Sequence, residues 1–143
     1  MPFSMAFISR FHPLLVHFPI ALVLAAASAE CAVIATTRSA WRTIAVANIR
    51  AAAAMGVVTA ITGWLFARAP FVDLGPTLEW HRWLGMAAAA AALGAALLSS
   101  RLHRASAGSA FAYRVMLFVT ALLVTVTAHS GGTLVWGAGF FRL

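Results

Sequence analysis

Four long apolar runs dominate this sequence, and they restrict its fold more than any other feature. They cover residues 13–36, 44–67, 78–100 and 112–136. An α-helix needs about 20 predominantly apolar residues to cross a bilayer, and each run is long enough. Because lipid offers no hydrogen bonds, a spanning segment must satisfy its own backbone groups, as a helix does. The sequence therefore predicts an all-α integral membrane protein, with residues 1–143 forming a single transmembrane four-helix bundle.

Charge is scarce and unevenly distributed along the chain. Hydrophobic residues make up 63% of the sequence and charged residues only 9%, whereas soluble domains carry roughly 25% charged residues. The net charge of +7 comes from ten arginines against Glu30, Asp73 and Glu79. The arginines stand singly at the ends of apolar runs, which is typical of membrane-flanking charge and not of a nucleic-acid-binding patch. The one cysteine, Cys31, has no partner for a disulfide, and a CxxCH haem-attachment motif is absent.

The arginines also predict an orientation. Four spans place both termini at one face, and the opposite face carries the larger share of positive charge. That opposite face has Arg38, Arg42, Arg50, Arg101, Arg104 and Arg114, against Arg10, Arg68, Arg82 and Arg142 at the terminal face. Since positively charged residues favour the cytoplasmic side, we predict a multi-pass protein of a bacterial inner membrane with periplasmic termini.

Four of the five histidines converge on the terminal face. His12 and His17 open the first span, His81 opens the third, and His129 lies near the end of the fourth. Ionisable groups inside a membrane are costly unless partnered, and they usually serve a function. His103 falls in a loop at the opposite face among arginines, and we interpret it as a solvated residue.

The convergence of histidines within a helix bundle is typical of a haem site. Neutral imidazole is a common axial ligand of haem iron, and bundle cores often hold such cofactors. We predict one or two non-covalent haem b groups at this face. His17 and His129 are the deepest of the four and are the predicted axial pair. Gly131 and Gly132 would leave room for a flat ligand, and Arg82 would meet the propionates.

His12 and His81 have several possible roles. They could form a second axial pair, or donate hydrogen bonds to propionates or to a quinone. His12 also precedes Pro13 at a helix start, where capping is an ordinary role, and His81 could be a hydrated interfacial residue.

These features favour an electron-transfer subunit. Such a subunit would connect the quinone pool with a periplasmic cytochrome or dehydrogenase inside a larger redox complex, without being the catalytic subunit itself. Two alternatives remain open on the sequence. The same histidines, His12, His17, His81 and His129, could bind copper or zinc, or the chain could be a structural anchor for other membrane subunits. In each case the chain contacts lipid and not nucleic acid.

Three local predictions concern helix geometry and charge. Pro19 should loosen the first helix, because proline lacks a backbone N–H. Thr77 is the predicted N-cap of the third helix. Glu30 and Arg50 lie at similar depths, roughly 9 Å inside their spans at 1.5 Å per residue, and they are predicted to form a buried ion pair.

The segments "FHPLLVHFPIAL" (11–22) and "HSGGTLVWGAGF" (129–140) carry a family resemblance. The chain resembles the bacterial four-helix membrane family catalogued as "domain of unknown function 2231", whose members open with HPxxVHFP and close with HxGGxLV[YW]. His12, His17, His81 and His129 occupy the matching motif positions. The resemblance implies redox work beside cytochromes. The closing motif of the family commonly carries a further histidine, which this chain replaces with "WGAGF".

Overall fold

The computed structural model describes residues 7, 10–69, 72, 75–102, 107–137 and 139. The helices that build the fold are α1 (His12–Leu15), α2 (His17–Thr36), α3 (Ser39–Phe66), α4 (Pro76–Ser99) and α5 (Ala107–Trp136). α1 and α2 together form the first span, His12–Thr36, and α3, α4 and α5 are the second, third and fourth spans. Within the described residues there is no strand, and each span is long and apolar enough to cross a membrane. The predicted all-α membrane fold is confirmed.

The four spans close into an antiparallel bundle. Each span packs against the next along the chain, and the first packs against the fourth. His12, at the start of the first span, contacts Thr62 near the end of the second. Glu30, near the end of the first span, contacts Arg114 near the start of the fourth. The chain therefore enters the first span and leaves the fourth at the same end of the bundle.

Each end of the bundle is named here by the side chains that gather there. The histidine end holds His12, Thr62, His81 and Ser130. The opposite end, the arginine end, holds Glu30, Arg42, Arg50, Ser99 and Arg114.

Small residues form much of the bundle core. The buried core includes Ala52, Ala53, Ala88, Ala92 and Ala95 from the second and third spans. A methyl group added at Gly56 would meet Ala89 of the third span at 3.8 Å. Because lipid tails are as apolar as side chains, membrane helices associate largely through such close packing.

The outer surface of the bundle is strongly apolar. Leu97, Phe111 and Leu122 each expose about two thirds of their surface, at 71%, 69% and 65%. A soluble protein rarely exposes so much contiguous apolar surface. These side chains suit contact with lipid, in agreement with the four candidate spans.

Several helices begin earlier than the hydropathy of the sequence indicates. The second span begins at Ser39 and the fourth at Ala107, five residues before the predicted starts in each case. Helices extend past the hydrocarbon layer into the interface, where polar side chains are tolerated. The third span also begins earlier, because Gly75 is its N-cap and Pro76 its first residue, so the predicted cap at Thr77 is wrong. Proline suits the first helical position because its φ is already helical.

The first span is interrupted near its start. The regular hydrogen bonding of the helix is interrupted at Val16, three residues before Pro19, although the backbone angles of Val16 stay helical (φ −61°, ψ −26°). The hydrogen bond from Ile20 N to Val16 O that follows the interruption is long, at 3.4 Å. This interruption agrees with the predicted effect of Pro19, which has no N–H to donate.

Glu30 is fully buried at the arginine end, but its partners differ from the predicted one. Its Oε1 accepts a hydrogen bond from Arg114 Nε at 2.8 Å and lies 2.8 Å from Arg42 Nη2. Arg50 donates its Nε to Ser99 Oγ at 3.0 Å, so the predicted Glu30–Arg50 ion pair is wrong. Because the second span begins early, Arg42 is a helical residue, and its long side chain reaches the carboxylate together with that of Arg114.

Candidate cofactor site at the histidine end

Two of the four predicted histidines face the interior of the bundle. His12 and His81 are the half-buried members of the set. They begin the first and third spans, which lie diagonally in the bundle and start at the same end. Each imidazole lies beside the last turns of the following span, His12 at Thr62 and His81 at Ser130. The histidine end therefore brings one ring from each half of the chain together.

Each of these rings is held by a hydroxyl group of the following span. His12 Nδ1 lies 3.3 Å from Thr62 Oγ1. His81 Nδ1 lies 3.1 Å from Ser130 Oγ and 3.2 Å from the carbonyl oxygen of Thr127. The two rings thus have the same type of partner, on the second and fourth spans respectively.

The hydroxyl partners determine which ring nitrogen carries the proton. Thr62 Oγ1 donates to the carbonyl of Thr59, and Ser130 Oγ donates to the carbonyl of Thr127. A hydroxyl has one proton to donate, so each of these oxygens must accept from the histidine. Both neutral imidazoles therefore donate Nδ1–H and keep a lone pair on Nε2. A metal-binding histidine has this arrangement when a second group orients it.

A glycine lies against each of the two rings. A methyl group added at Gly63 would come within 2.6 Å of His12 Cε1, and one added at Gly131 within 3.0 Å of His81 Cε1. The absence of a side chain at these two positions therefore allows the imidazoles to pack on the helix backbone. Gly131 was among the residues predicted to leave room here. Gly132 is half-buried on the same span.

The surroundings of His12 and His81 repeat in the sequence. The second span contains Thr-Ala-Ile-Thr-Gly at 59–63, and the fourth contains Thr-Ala-His-Ser-Gly at 127–131. The hydroxyl of each segment follows its histidine by nearly the same number of residues, 50 in the first half and 49 in the second. Each half of the chain is thus a helical hairpin that presents one imidazole on a Thr-Ala-x-(Ser/Thr)-Gly segment. The sequence prediction missed Thr62, Gly63, Thr127 and Ser130, although this internal repeat could have revealed them.

Arg82 adds a positive charge at this end. Its guanidinium carbon lies 3.8 Å from the centre of the Trp64 ring, a cation–π contact. Its Nε is buried and has no hydrogen-bond partner. Trp64 also packs edge-on against Trp83. Arg82 thus keeps a buried donor available for an acceptor group, such as a carboxylate.

His17 and His129 point in other directions. Both side chains are exposed. His17 follows His12 by five residues, which is roughly 140° around an ideal helix. On the fourth span, Thr127, Ser130 and Gly131 face His81, and His129 lies about 200° from Thr127. The predicted axial pairing of His17 with His129 is untested, but these rings do not share the interior position of His12 and His81.

His103 lies outside the described residues. Among the residues that the structure describes, no three histidine, cysteine or acidic side chains come close enough to hold a metal ion together.

The fit of each ring against its glycine leads to a stability prediction. Gly63→Ala should force the His12 ring to move, whereas Gly56→Ala in the same helix adds a methyl group in ordinary contact distance of Ala89. Overpacking typically costs about 1–3 kcal/mol, so the Gly63 variant should be less stable than the Gly56 variant by about that amount. Thermal unfolding of both in the same detergent measures the difference. Equal stability of the two variants would show that the ring is not tightly packed on Gly63.

Comparison with known proteins gives one match. The family described as "Predicted membrane protein (DUF2231)" matches residues 9–141. No curated protein and no solved structure matches the chain.

Proposed function

The chain belongs to the DUF2231 family of predicted membrane proteins, and we propose that this member is a b-type cytochrome-like electron-transfer subunit that binds haem through His12 and His81. The observation that carries the proposal is the equivalence of these two imidazoles. Each comes from one helical hairpin, each is oriented through Nδ1, and each keeps Nε2 for ligation.

The donor chemistry of this end fits haem b. Six-coordinate haem takes two axial ligands, one on each face of the ring, and neutral histidine is a common choice. Structural zinc takes four protein ligands and catalytic zinc three, whereas two interior histidines meet here among the described residues. This difference in ligand number favours haem over the zinc alternative.

The other residues of the site would orient the two histidines and stabilise the bound haem. Thr62 and Ser130 hold the imidazoles in the ligating tautomer, and Gly63 and Gly131 let the rings lie against the helices. The unpartnered Nε of Arg82 is suited to a haem propionate. When bound, haem supplies a one-electron redox centre. The role of the chain is to position that centre and to keep it partly shielded from water.

The proposed partners follow from where such a centre would lie. Haem at the histidine end would be near one membrane surface, within reach of a peripheral redox protein and of a quinone in the bilayer. The described residues form four membrane spans, so the electron donor and acceptor would lie outside these spans. We propose the quinone pool and a periplasmic cytochrome or dehydrogenase, in a complex with other membrane subunits.

An absorption spectrum of the purified protein tests the function. Protein produced with ample haem supply should show a Soret band and an α-band that sharpens on reduction with dithionite. A bound metal without these bands would support the copper or zinc alternative. The absence of both haem and bound metal would support the structural anchor. Each of these two results, a metal without haem bands or no cofactor at all, would refute the proposal.

Orientation can be tested separately. The excess of arginine at the arginine end predicts that this end is cytoplasmic and that both termini are periplasmic. A C-terminal alkaline phosphatase fusion should therefore be active, and a C-terminal green fluorescent protein fusion should be dark. A fluorescent fusion with inactive phosphatase would reverse the assignment and place the histidine end in the cytoplasm.

A further inference from the structure

A groove opens between the second and third spans at the arginine end. Its volume is about 370 Å³, and its lining includes Arg42, Arg50, Ser99, Val46, Ala47 and Leu102. One part of this lining is cationic and the rest is mainly apolar. A groove of this composition on a membrane-spanning surface suits an amphipathic anion.

The internal repeat explains why positive charge is left over in this groove. Glu30 follows His12 by 18 residues, and Ser99 follows His81 by 18 residues. Glu30 receives the guanidinium of Arg114 between the first and fourth spans, and Ser99 receives that of Arg50 between the third and second spans. The second half of the chain thus has a neutral hydroxyl where the first half has a carboxylate. As a result, Arg50 has no acidic partner among the described residues.

The local charges do not balance. Glu30 contributes −1 and Arg42, Arg50 and Arg114 contribute +3, so these four residues carry a net charge of +2. Arg42 uses Nη2 for Glu30, and its buried Nε has no hydrogen-bond partner. Arg50 donates its Nε to Ser99, so the donors of its two terminal amino groups remain for another acceptor. The two arginines can therefore present N–H donors to one anionic group.

The position of the groove indicates which type of anion it would bind. Ser99 is the last residue of its helix, so Arg50 binds beside a span end and near the membrane surface. Side chains on a helix lean toward its N-terminus, which for Arg50 is the arginine end. Arg50 is exposed on the outer surface of the bundle. Val46, Ala47 and Leu102 extend the groove with apolar surface that an acyl chain can cover.

We propose that this groove binds the headgroup phosphate of an anionic phospholipid, with Arg42 and Arg50 as its ligands and the apolar lining in contact with an acyl chain. Basic pockets between membrane helices at the cytoplasmic side commonly bind anionic headgroups. Ser99 acts as a positioning residue, because it fixes Arg50 through Nε and leaves the remaining donors for the phosphate.

Native mass spectrometry can test the site with defined lipids. Wild-type protein is released from micelles that contain equal amounts of phosphatidylglycerol and phosphatidylcholine, and the lipid that remains bound is counted. We expect one phosphatidylglycerol to be retained in preference to phosphatidylcholine. Arg50→Gln should weaken this retention about fivefold, the effect of one cationic residue at a membrane surface. Equal retention of both lipids by the wild type would overturn the proposal.

Matched variants separate the groove from general surface charge. Arg101→Gln removes an exposed arginine near the same end that does not line the groove, and it should leave retention unchanged. Val46→Trp fills the apolar part of the groove with every arginine intact, and it should also reduce retention. Size exclusion and circular dichroism confirm that each variant is folded. If Arg101→Gln weakens binding as much as Arg50→Gln does, diffuse charge and not the groove is responsible.

A competition experiment identifies the source of the phosphate. Inorganic phosphate added at a large excess over lipid should not displace phosphatidylglycerol, since it lacks the acyl chain that covers the apolar lining. Displacement by inorganic phosphate would show that the site binds a free anion, and the lipid proposal would be wrong.

Discussion

Replacing His81 with alanine is expected to abolish the low-spin haem spectrum, and replacing His12 with alanine is expected to do the same. Each variant removes one proposed axial ligand and opens a coordination position on the iron. The expected readout is a shifted, high-spin Soret band, or complete loss of haem during purification. Reduced-minus-oxidised spectra of detergent-purified protein, scaled to protein concentration, measure both outcomes. This is the largest effect that the proposed function predicts.

The matched controls are the two histidines that face outward. His17→Ala and His129→Ala should keep the low-spin spectrum, because neither ring lies in the interior position of His12 and His81. The opposite pattern would restore the pairing of His17 with His129 that the sequence alone predicts. If all four variants keep an unaltered spectrum, histidine ligation at this end is wrong altogether.

The second large effect concerns the stability of the bundle. Glu30→Gln should destabilise the fold by about 2–4 kcal/mol, because removing one member of a buried ion pair leaves the other charge uncompensated. Glu30 is fully buried and contacts both Arg42 and Arg114. Without its carboxylate, these two cations, one from the second span and one from the fourth, would repel each other. Equilibrium unfolding in mixed micelles, followed by circular dichroism, measures the change in the free energy of unfolding.

Glu79 provides a control for Glu30. It is the same residue type, lies in the first turn of the third span and is exposed. Glu79→Gln should change the free energy of unfolding by no more than about 0.5 kcal/mol, as is usual for surface substitutions. A similar loss in both variants would mean that the buried ion pair at the arginine end contributes little of its own.

The histidine substitutions and the glutamate substitution act at opposite ends of the bundle and have separate readouts. Glu30→Gln should lower stability while the folded fraction keeps its haem spectrum. His81→Ala should change the spectrum without disturbing the ion pairs of the arginine end. Measuring both properties in both variants therefore distinguishes loss of the cofactor site from loss of the fold.

Hydropathy was sufficient to predict the four spans, because the cost of exposing polar groups to lipid depends on composition along the chain and not on tertiary contacts. The starts of the helices in the second and fourth spans could not be predicted from hydropathy. A helix continues into the interface wherever its backbone bonds can form, so the residues from Ser39 and Ala107 onward are helical although they precede the apolar runs. Arg42 consequently lies on a helix, and it joins Arg114, which is within the fourth apolar run, as a partner of Glu30.

The sequence was also sufficient to predict that four histidines lie at one end, since the order of the spans alone decides which span ends meet. It could not decide which of them face inward, because that depends on the rotation of each helix about its axis, which is set by packing. The Thr-Ala-x-(Ser/Thr)-Gly repeat at 59–63 and 127–131 marks the helix faces that the inward histidines contact. The role of the repeat depends on the tertiary structure, in which each segment contacts a histidine from the preceding span.

By itself, then, the sequence determined that this chain is a four-span membrane protein with four of its five histidines at one end, because both properties follow from hydropathy and from the order of the spans. Only the tertiary structure decided that His12 and His81 are the interior pair, that Glu30 binds Arg42 and Arg114, and that Arg50 is left with a serine. These outcomes depend on helix rotation and on the reach of long side chains between neighbouring spans, and neither is encoded in the order of apolar and polar residues along one helix.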